Sequence, residues 1–290
     1  MNISINANYL FRQRGTSAQR STEECIKICA EAGYRVIDYS PNIWDDSKWE
    51  GDVDDAMNAA AKYGVTITQS HAPYNFYSGT SRERFMQLLD RSAEAAVRMG
   101  IRDLVFHADE YHPPKGELFN SDDALIQIYD ILSPSIEKCA KGGVRATLET
   151  VFEDHFGVAR DQRSHFCGDI SELIAIIDKF NDPMVGCCWD FGHAKICVGN
   201  DSHTDAIRRM GKRIICTHVH DNYYGKDLHV PPFMGDANWE QLMPALREAG
   251  YTGDLTFELV YGNIYEDQLL GFLKTLYQTG IILNGMFEGK

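Results

Sequence analysis

Six short β-like segments of the sequence each end in a histidine, an aspartate or a glutamate. These residues are His71 in ITQSHAP, His107 in LVFHADE, Glu149 in ATLETVF, Asp190 in CCWDFGH, His218 in ICTHVHD and Glu258 in LTFELV. A single strand-end histidine or glutamate is usually a structural contact. Six of them at corresponding positions of successive segments predict a site that binds a cation or moves protons.

Four of the six residues form the predicted centre of this site: Glu149, Asp190, His218 and Glu258. Three carboxylates at one place would repel one another without a counter-charge, and a divalent cation supplies that charge. The oxygen-rich ligand set favours Mn²⁺, while Mg²⁺, Co²⁺ and Zn²⁺ are also compatible with it.

Five further residues follow these strand ends closely enough to reach the same site. They are His155, His193, His220, Asp227 and His229, and together with His71 and His107 they form the predicted substrate contacts. Asp227 and His229 belong to a loop segment, KDLH, and could also form a solvated loop pair there. His155 could instead belong to an exposed acidic turn.

The segments that carry these residues alternate with longer helical patterns along the whole chain. Strands that alternate with helices predict a parallel sheet. Eight such units in 290 residues predict one (β/α)₈ barrel domain over residues 1–290. Because the carboxyl ends of the strands meet at one mouth of such a barrel, the six strand-end residues should converge there.

Composition argues against several classes of function. The chain has 42 acidic and 28 basic residues, a net charge of −14, so we expect no nucleic-acid partner. No apolar stretch approaches the roughly 18 residues of a membrane span. The N-terminus does not resemble a signal peptide, and the eight cysteines form no CxxC pair. These features predict a cytoplasmic protein with buried thiols.

The motifs around the candidate residues resemble the xylose-isomerase-like barrel superfamily of sugar (phosphate) isomerases and epimerases. The matching pieces are TLET, WDFGH, HVHDN followed by DLHVPPFMGDANW, and GYTGDLTFELV, in the order of the family. The resemblance implies one divalent metal, held by Glu149, Asp190, His218 and Glu258. It also implies that His193 contacts the substrate.

The same resemblance implies a reaction on a ketose, an aldose or a related polyol ketone. Glu149 and Glu258 would remove and return a proton through a metal-stabilised enediolate, which gives epimerisation or aldose–ketose exchange. His155 stands where the family's epimerases carry a glutamate, and Tyr224 stands where they carry an arginine. The absence of a GxGxxG pattern favours unphosphorylated substrates. The expected partner is a small sugar, and a homo-oligomer is one possible assembly.

A second branch of the superfamily, the zinc endonucleases that repair apurinic sites in DNA, also resembles this chain. The nine ligands of its three-zinc cluster have counterparts here: His71, His107, Glu149, Asp190, His193, His218, Asp227, His229 and Glu258. The acidic net charge and the DFGH, HVHDN and PPFMGDANW motifs favour the sugar branch. The metal core is also compatible with a polyol lyase or dehydratase, with C-glycoside cleavage and with a non-catalytic sugar-binding barrel.

Overall fold

The computed structural model describes residues 1–12, 18–74, 80–109, 117–152, 166–261 and 264–290, without the side chains of residues 197–202. Its described part contains ten strands. They are β1 (Ile3–Ile5), β2 (Val36–Asp38), β3 (Thr66–His71), β4 (Asp103–Phe106), β5 (Arg145–Glu149), β6 (Val185–Asp190), β7 (Ile214–His218), β8 (Asp221–Tyr223), β9 (Lys226–Val230) and β10 (Leu255–Phe257).

Helices alternate with these strands as the sequence predicts. They are α1 (Thr22–Ala32), α2 (Trp49–Tyr63), α3 (Arg82–Met99), α4 (Ser121–Lys141), α5 (Ile170–Phe180), α6 (Phe191–Met210), α7 (Trp239–Glu248) and α8 (Glu266–Glu288). None of the helices in the described ranges is both long and apolar enough to cross a membrane.

The parallel strands form a closed ring. Strands β2 to β7 make one parallel sheet in chain order, and β1 pairs in parallel with β10. Two backbone bridges join these sheets: Asn6 pairs with Asp38 between β1 and β2, and Val219 pairs with Phe257 between β7 and β10. Eight strands therefore enclose the barrel, which confirms the predicted (β/α)₈ fold.

Alternate strand residues fill the barrel below its mouth. Cys216 of β7 donates a hydrogen bond to Thr147 of β5, with 3.3 Å between Sγ and Oγ1. Thr256 of β10 donates to Gln69 of β3, with 3.2 Å between Oγ1 and Oε1. Neither pair belongs to adjacent strands, so both contacts cross the interior. Because Thr147 and Cys216 each precede a strand-end candidate by two residues, those candidates also face inward.

The chain between β7 and α7 forms a hairpin that the sequence pattern did not predict. Strands β8 and β9 pair antiparallel, with Tyr223 opposite Lys226. The two residues between them, Tyr224 and Gly225, have φ angles of 57° and 62°, as in a two-residue type I′ turn. The loop expected for the KDLH segment is therefore wrong, because that segment forms β9.

Helix α6 begins directly at the end of β6, and Asp190 is its N-terminal cap. One carboxylate oxygen of Asp190, Oδ1, accepts the backbone N–H of His193 at 2.7 Å. An aspartate at this position satisfies an amide that has no partner within the helix. The cap places His193 in the first turn of α6, directly over the mouth.

Helix α8 packs closely on β1 and β10 at Gly280. A Cβ at this position would lie 2.7 Å from Ile3 Cγ2 and 3.0 Å from Phe257 Cε2. Gly280→Ala is therefore expected to lower the free energy of unfolding by about 1–3 kcal/mol, because the side chains of Ile3 and Phe257, or the helix itself, must shift.

The matched control on α8 is Gly285→Ala, since no atom lies within 4 Å of a Cβ built there. This variant should gain up to about 1 kcal/mol from the higher helix propensity of alanine. Urea denaturation of both variants measures the difference. Equal stabilities of the two variants would contradict the close packing at Gly280.

Candidate metal centre at the barrel mouth

Four side chains meet at the centre of the mouth: Glu149, Asp190, His218 and Glu258. Each is at most 7% exposed, and one ligand atom from each lies within 4.8 Å of the others. His218 Nδ1 is 2.9 Å from Glu149 Oε1 and 3.4 Å from Glu258 Oε2. It is also 3.8 Å from Asp190 Oδ2. One imidazole and three carboxylates converging in this way fit a divalent cation with nitrogen and oxygen ligands.

The outer nitrogen of His218 faces a carboxylate that the sequence pattern did not single out. Asp38 is fully buried at the end of β2, and its Oδ2 lies 3.7 Å from His218 Nε2. Its Oδ1 has no hydrogen-bond partner among the described residues. A carboxylate behind a metal-binding histidine fixes the ring and raises its basicity. A signal was present in the sequence, because Asp38 directly follows the apolar pair of RVID as the other candidates follow their own apolar segments.

His71 and His107 form a second group with the other oxygen of Glu149. Their Nε2 atoms lie 3.0 Å and 3.1 Å from Glu149 Oε2. His71 donates its Nδ1–H to the carbonyl oxygen of Ala72 at 2.6 Å, and His107 Nδ1 lies 3.5 Å from Asp109 Oδ1. Because Nδ1 of each ring has a partner outside the mouth, Nε2 is directed into the mouth. A metal-binding histidine needs this arrangement.

A third group contains His193, His220, Asp227 and His229, with one ligand atom from each within 4.8 Å of the others. Asp227 Oδ2 lies 3.2 Å from His229 Nε2 and 3.8 Å from His193 Nε2. The Nδ1–H groups of His193 and His229 each donate to a backbone carbonyl oxygen at 3.0 Å. The Nε2 atoms of both rings therefore face Asp227, while His193 Nδ1 also lies 3.3 Å from Glu149 Oε1 of the central group.

The structure brings ten of the eleven predicted site residues together, in these three groups. His155 lies outside the described residues. Tyr224, at the position of the family's arginine, is 86% exposed at the tip of the β8–β9 turn. It therefore does not contribute to the centre of the mouth.

Two tyrosines border the histidines. The ring of Tyr74 stacks on His107 with 4.6 Å between ring centroids, and the ring of Tyr9 lies 6.3 Å from His229. Burial and the charge of Glu258 raise the pKa of both phenols. Both tyrosines therefore keep a neutral hydroxyl group and an apolar ring face beside the mouth, which suits a polyol.

Protons on the histidines balance the carboxylates when no cation is bound. Burial alone would raise the pKa of the Glu149 carboxyl, but the charges of His218 and His107 hold it well below its usual range. Burial would lower the pKa of His107 and His229, yet neighbouring carboxylates raise it to about 10 and about 9. A cation that binds at pH 7 must therefore displace protons from this cluster.

The stability of the metal-free protein is expected to fall as the pH rises from about 7 to 10. His107 and His229 titrate near 10 and 9 when folded, against about 6.5 when unfolded. Their stabilising contribution is complete below about pH 6.5 and is lost as the pH passes the folded-state values. Thermal melts of chelator-treated protein measure this effect. The positive charge of a cation at the centre would lower the pKa of both histidines, so metal-loaded protein should vary less over the same range, and equal slopes would contradict the assignment.

The chain belongs to the xylose isomerase-like TIM barrel family, whose model matches residues 26–276. Among curated proteins, the uncharacterized protein y4fM of Sinorhizobium fredii is 24% identical over 178 residues, which are 61% of this chain. The match spans 53% of y4fM, about half of its length.

Solved structures share the fold over nearly the whole chain. A xylose isomerase domain protein from Alicyclobacillus acidocaldarius has a TM-score of 0.75 at 17% identity, with 99% of both chains covered. L-ribulose 3-epimerase has a TM-score of 0.71 at 18% identity, covering 100% of this chain and 95% of its own. The IolI protein, solved with a bound zinc atom, has a TM-score of 0.71 at 15% identity, covering 100% of this chain and 99% of its own.

Proposed function

We propose that this chain is a divalent-metal-dependent isomerase or epimerase of a ketose, an aldose or a related polyol ketone. The supporting observation is a pair of glutamates that both contact one imidazole nitrogen. Glu149 and Glu258 lie 2.9 Å and 3.4 Å from His218 Nδ1, and they come from strands three positions apart around the ring. Two carboxylates that approach one point from different strands suit proton removal and proton return at one carbon.

A divalent cation at the four-residue centre would polarise the carbonyl of an open-chain sugar and acidify the adjacent C–H bond. One glutamate, as the carboxylate, removes the proton from the carbon between the carbonyl and a hydroxyl group. The other glutamate, in its protonated form, delivers its own proton to the opposite face of that carbon, which gives epimerisation and leaves the two glutamates with exchanged protonation states. Delivery to the neighbouring carbon, with one proton passing between the two substrate oxygens, gives aldose–ketose exchange. The lowered pKa of Glu149 keeps it ionised at neutral pH, as a proton acceptor must be.

The surrounding residues favour a neutral polyol over a phosphorylated sugar. Within the described ranges, the site carboxylates form ion pairs with histidines and with no lysine or arginine. His71, His193 and His229 present Nε2 atoms to the mouth, and the two bordering tyrosines offer hydroxyl groups. We propose that these groups hydrogen-bond the hydroxyl groups of an unphosphorylated substrate.

The ligand types support one choice of metal over the others. The carboxylate-rich centre favours Mn²⁺, whereas the imidazole-rich outer groups would suit Zn²⁺. We propose one Mn²⁺-like ion at the centre, with the outer histidines as substrate contacts.

Hydrolysis of a phosphodiester at apurinic sites is the second candidate function. The observation that favours it is the convergence of all nine residues matched to the three-zinc endonucleases, in three groups around the mouth. The net charge of −14 opposes binding to DNA. This candidate requires three tightly bound cations, whereas the sugar reaction requires one.

A screen of substrates in deuterated water tests the proposal. Free ketoses, aldoses, inositol ketones and sugar phosphates are incubated with Mn²⁺-loaded protein, and proton NMR follows the loss of the exchanging C–H signal. We expect exchange in at least one unphosphorylated sugar. A DNA duplex with an abasic site is the matched test of the second function. Cleavage of that duplex without exchange in any sugar would reject the sugar reaction.

A further inference from the structure

His220 differs from the five other histidines at the mouth in how its nitrogens are used. In each of the others, one nitrogen faces a backbone carbonyl oxygen or a carboxylate other than Asp190 at 3.7 Å or less. In His193 that nitrogen, Nδ1, also lies 3.3 Å from Glu149 Oε1 and 3.6 Å from Asp190 Oδ2. The Nε2 of His220 instead contacts both oxygens of Asp190, at 2.9 Å and 3.1 Å. Its Nδ1 is buried and has no hydrogen-bond partner among the described residues.

These contacts indicate which ring nitrogen carries the proton. Since the Asp190 carboxylate only accepts hydrogen bonds, His220 Nε2 must be the donor. The Nδ1 atom is turned away from the carboxylate. With Nε2 on both oxygens of Asp190, His220 is placed to support a ligand of the proposed metal.

The same ring links two of the three groups. It is fully buried and stacks on His229 with 3.8 Å between centroids and 8° between ring planes. His220 thus touches Asp190 of the central group on its edge and His229 of the third group on its face.

Gly192 provides the space for this ring. A Cβ on Gly192 would lie 1.9 Å from Cε1, 2.2 Å from Nδ1 and 2.5 Å from Nε2 of His220. No side chain, not even alanine, fits at position 192 while His220 keeps its place. The glycine of the DFGH motif and the second histidine of the HVHD motif are therefore one structural unit.

We propose that His220 is a positioning residue that orients the Asp190 carboxylate and the ring of His229, and that Gly192 is required because it admits His220. The proposal rests on the proposed function only in taking Asp190 as a metal ligand. Partners that orient a metal ligand in this way typically change metal affinity about 10–100-fold when they are removed.

The test measures Mn²⁺ affinity by competition with a chelator, on folded protein and without any sugar. His220→Phe keeps a planar ring but removes the donor, and it should weaken Mn²⁺ binding about 10–100-fold. His220→Gln can place an amide N–H near the same carboxylate and should recover most of the affinity. His203→Phe is the control, because His203 is a buried histidine that packs on Trp189 and Phe191. Its replacement should leave the affinity unchanged, whatever its effect on the melting temperature.

A double-mutant cycle tests the role of Gly192. Gly192→Ala should weaken Mn²⁺ binding in the wild-type background, because the added Cβ displaces His220. In the His220→Ala background the same change should have no further effect, since the clashing ring is absent. If His220→Phe does not fold, this cycle still tests the proposal, because it does not use that variant.

Several outcomes would overturn the proposal. They are wild-type affinity in His220→Phe, affinity in His220→Gln as weak as in His220→Phe, an equal effect of Gly192→Ala in both backgrounds, and no Mn²⁺ binding by the wild type. The expected affinities without sugar turnover would contradict the proposed function alone. Sugar turnover with affinities independent of residue 220 would contradict only the role of His220.

Discussion

Glutamine in place of Glu258 is expected to lower the rate of deuterium exchange into a ketose substrate by about 10²–10⁴-fold, the usual contribution of a general base. The substitution keeps the shape of the side chain and removes its ability to accept a proton. Glutamine at position 149 should have the same effect on exchange. Both variants should keep the barrel fold, because the change is isosteric and confined to the mouth.

Glu258 gives the cleaner of the two tests. Glu149 uses one oxygen for the central group and the other for His71 and His107, so its replacement disturbs two groups at once. Exchange should therefore be measured at saturating Mn²⁺, with the metal content of each variant determined beside it. This separates a lost proton acceptor from a lost cation.

Glu248→Gln is the matched control for these substitutions. Glu248 is a surface carboxylate at the end of α7, paired with Arg208 at 2.8 Å, and its replacement should leave exchange unchanged. Unchanged exchange in both mouth variants would remove proton transfer by the glutamates from the mechanism.

The strand-end residues could be predicted because, in a barrel, a residue at the carboxyl end of a strand must lie at the mouth. Each parallel strand ends at the same mouth, so a histidine or an acid at the end of successive strands must approach the others. The alternation of strand side chains supplied the direction: Glu149 faces inward because Thr147, two residues earlier, lies in the interior. Asp38 also ends its strand, but the β-like pattern of YRVIDYS continues past it through Tyr39. The sequence pattern therefore did not show that the strand ends at Asp38.

Other features depend on contacts that spacing along the chain does not encode. The hairpin that places Asp227 and His229 beside His193 requires a positive φ at Tyr224, a conformation in which tyrosine is uncommon. The distribution of the two oxygens of Glu149 between separate groups depends on the relative positions of four strands. The role of His220 depends on a close approach to Gly192, which exists only when α6 and the segment after β7 are packed together.

Removal of the metal is expected to abolish sugar turnover, with a loss of at least about 10³-fold if the cation supplies several kcal/mol of stabilisation to the transition state. Without the cation, the glutamates at the mouth face protonated histidines, and nothing polarises the substrate carbonyl. The protein should also lose thermal stability. An ion present at 100 times its dissociation constant stabilises the folded state by about 2.7 kcal/mol.

The measurement compares protein dialysed against a chelator with protein dialysed against the same chelator saturated with Mn²⁺. Turnover and melting temperature should fall only in the first sample, and both should return when Mn²⁺ is added.

Elemental analysis of the protein as purified then separates the two candidate functions. About one Mn²⁺-like ion per chain supports the sugar reaction, because the central carboxylates need a single counter-charge. Three tightly bound zinc ions would instead show that the outer histidines are ligands, which favours phosphodiester hydrolysis, and full turnover in metal-free protein would contradict both.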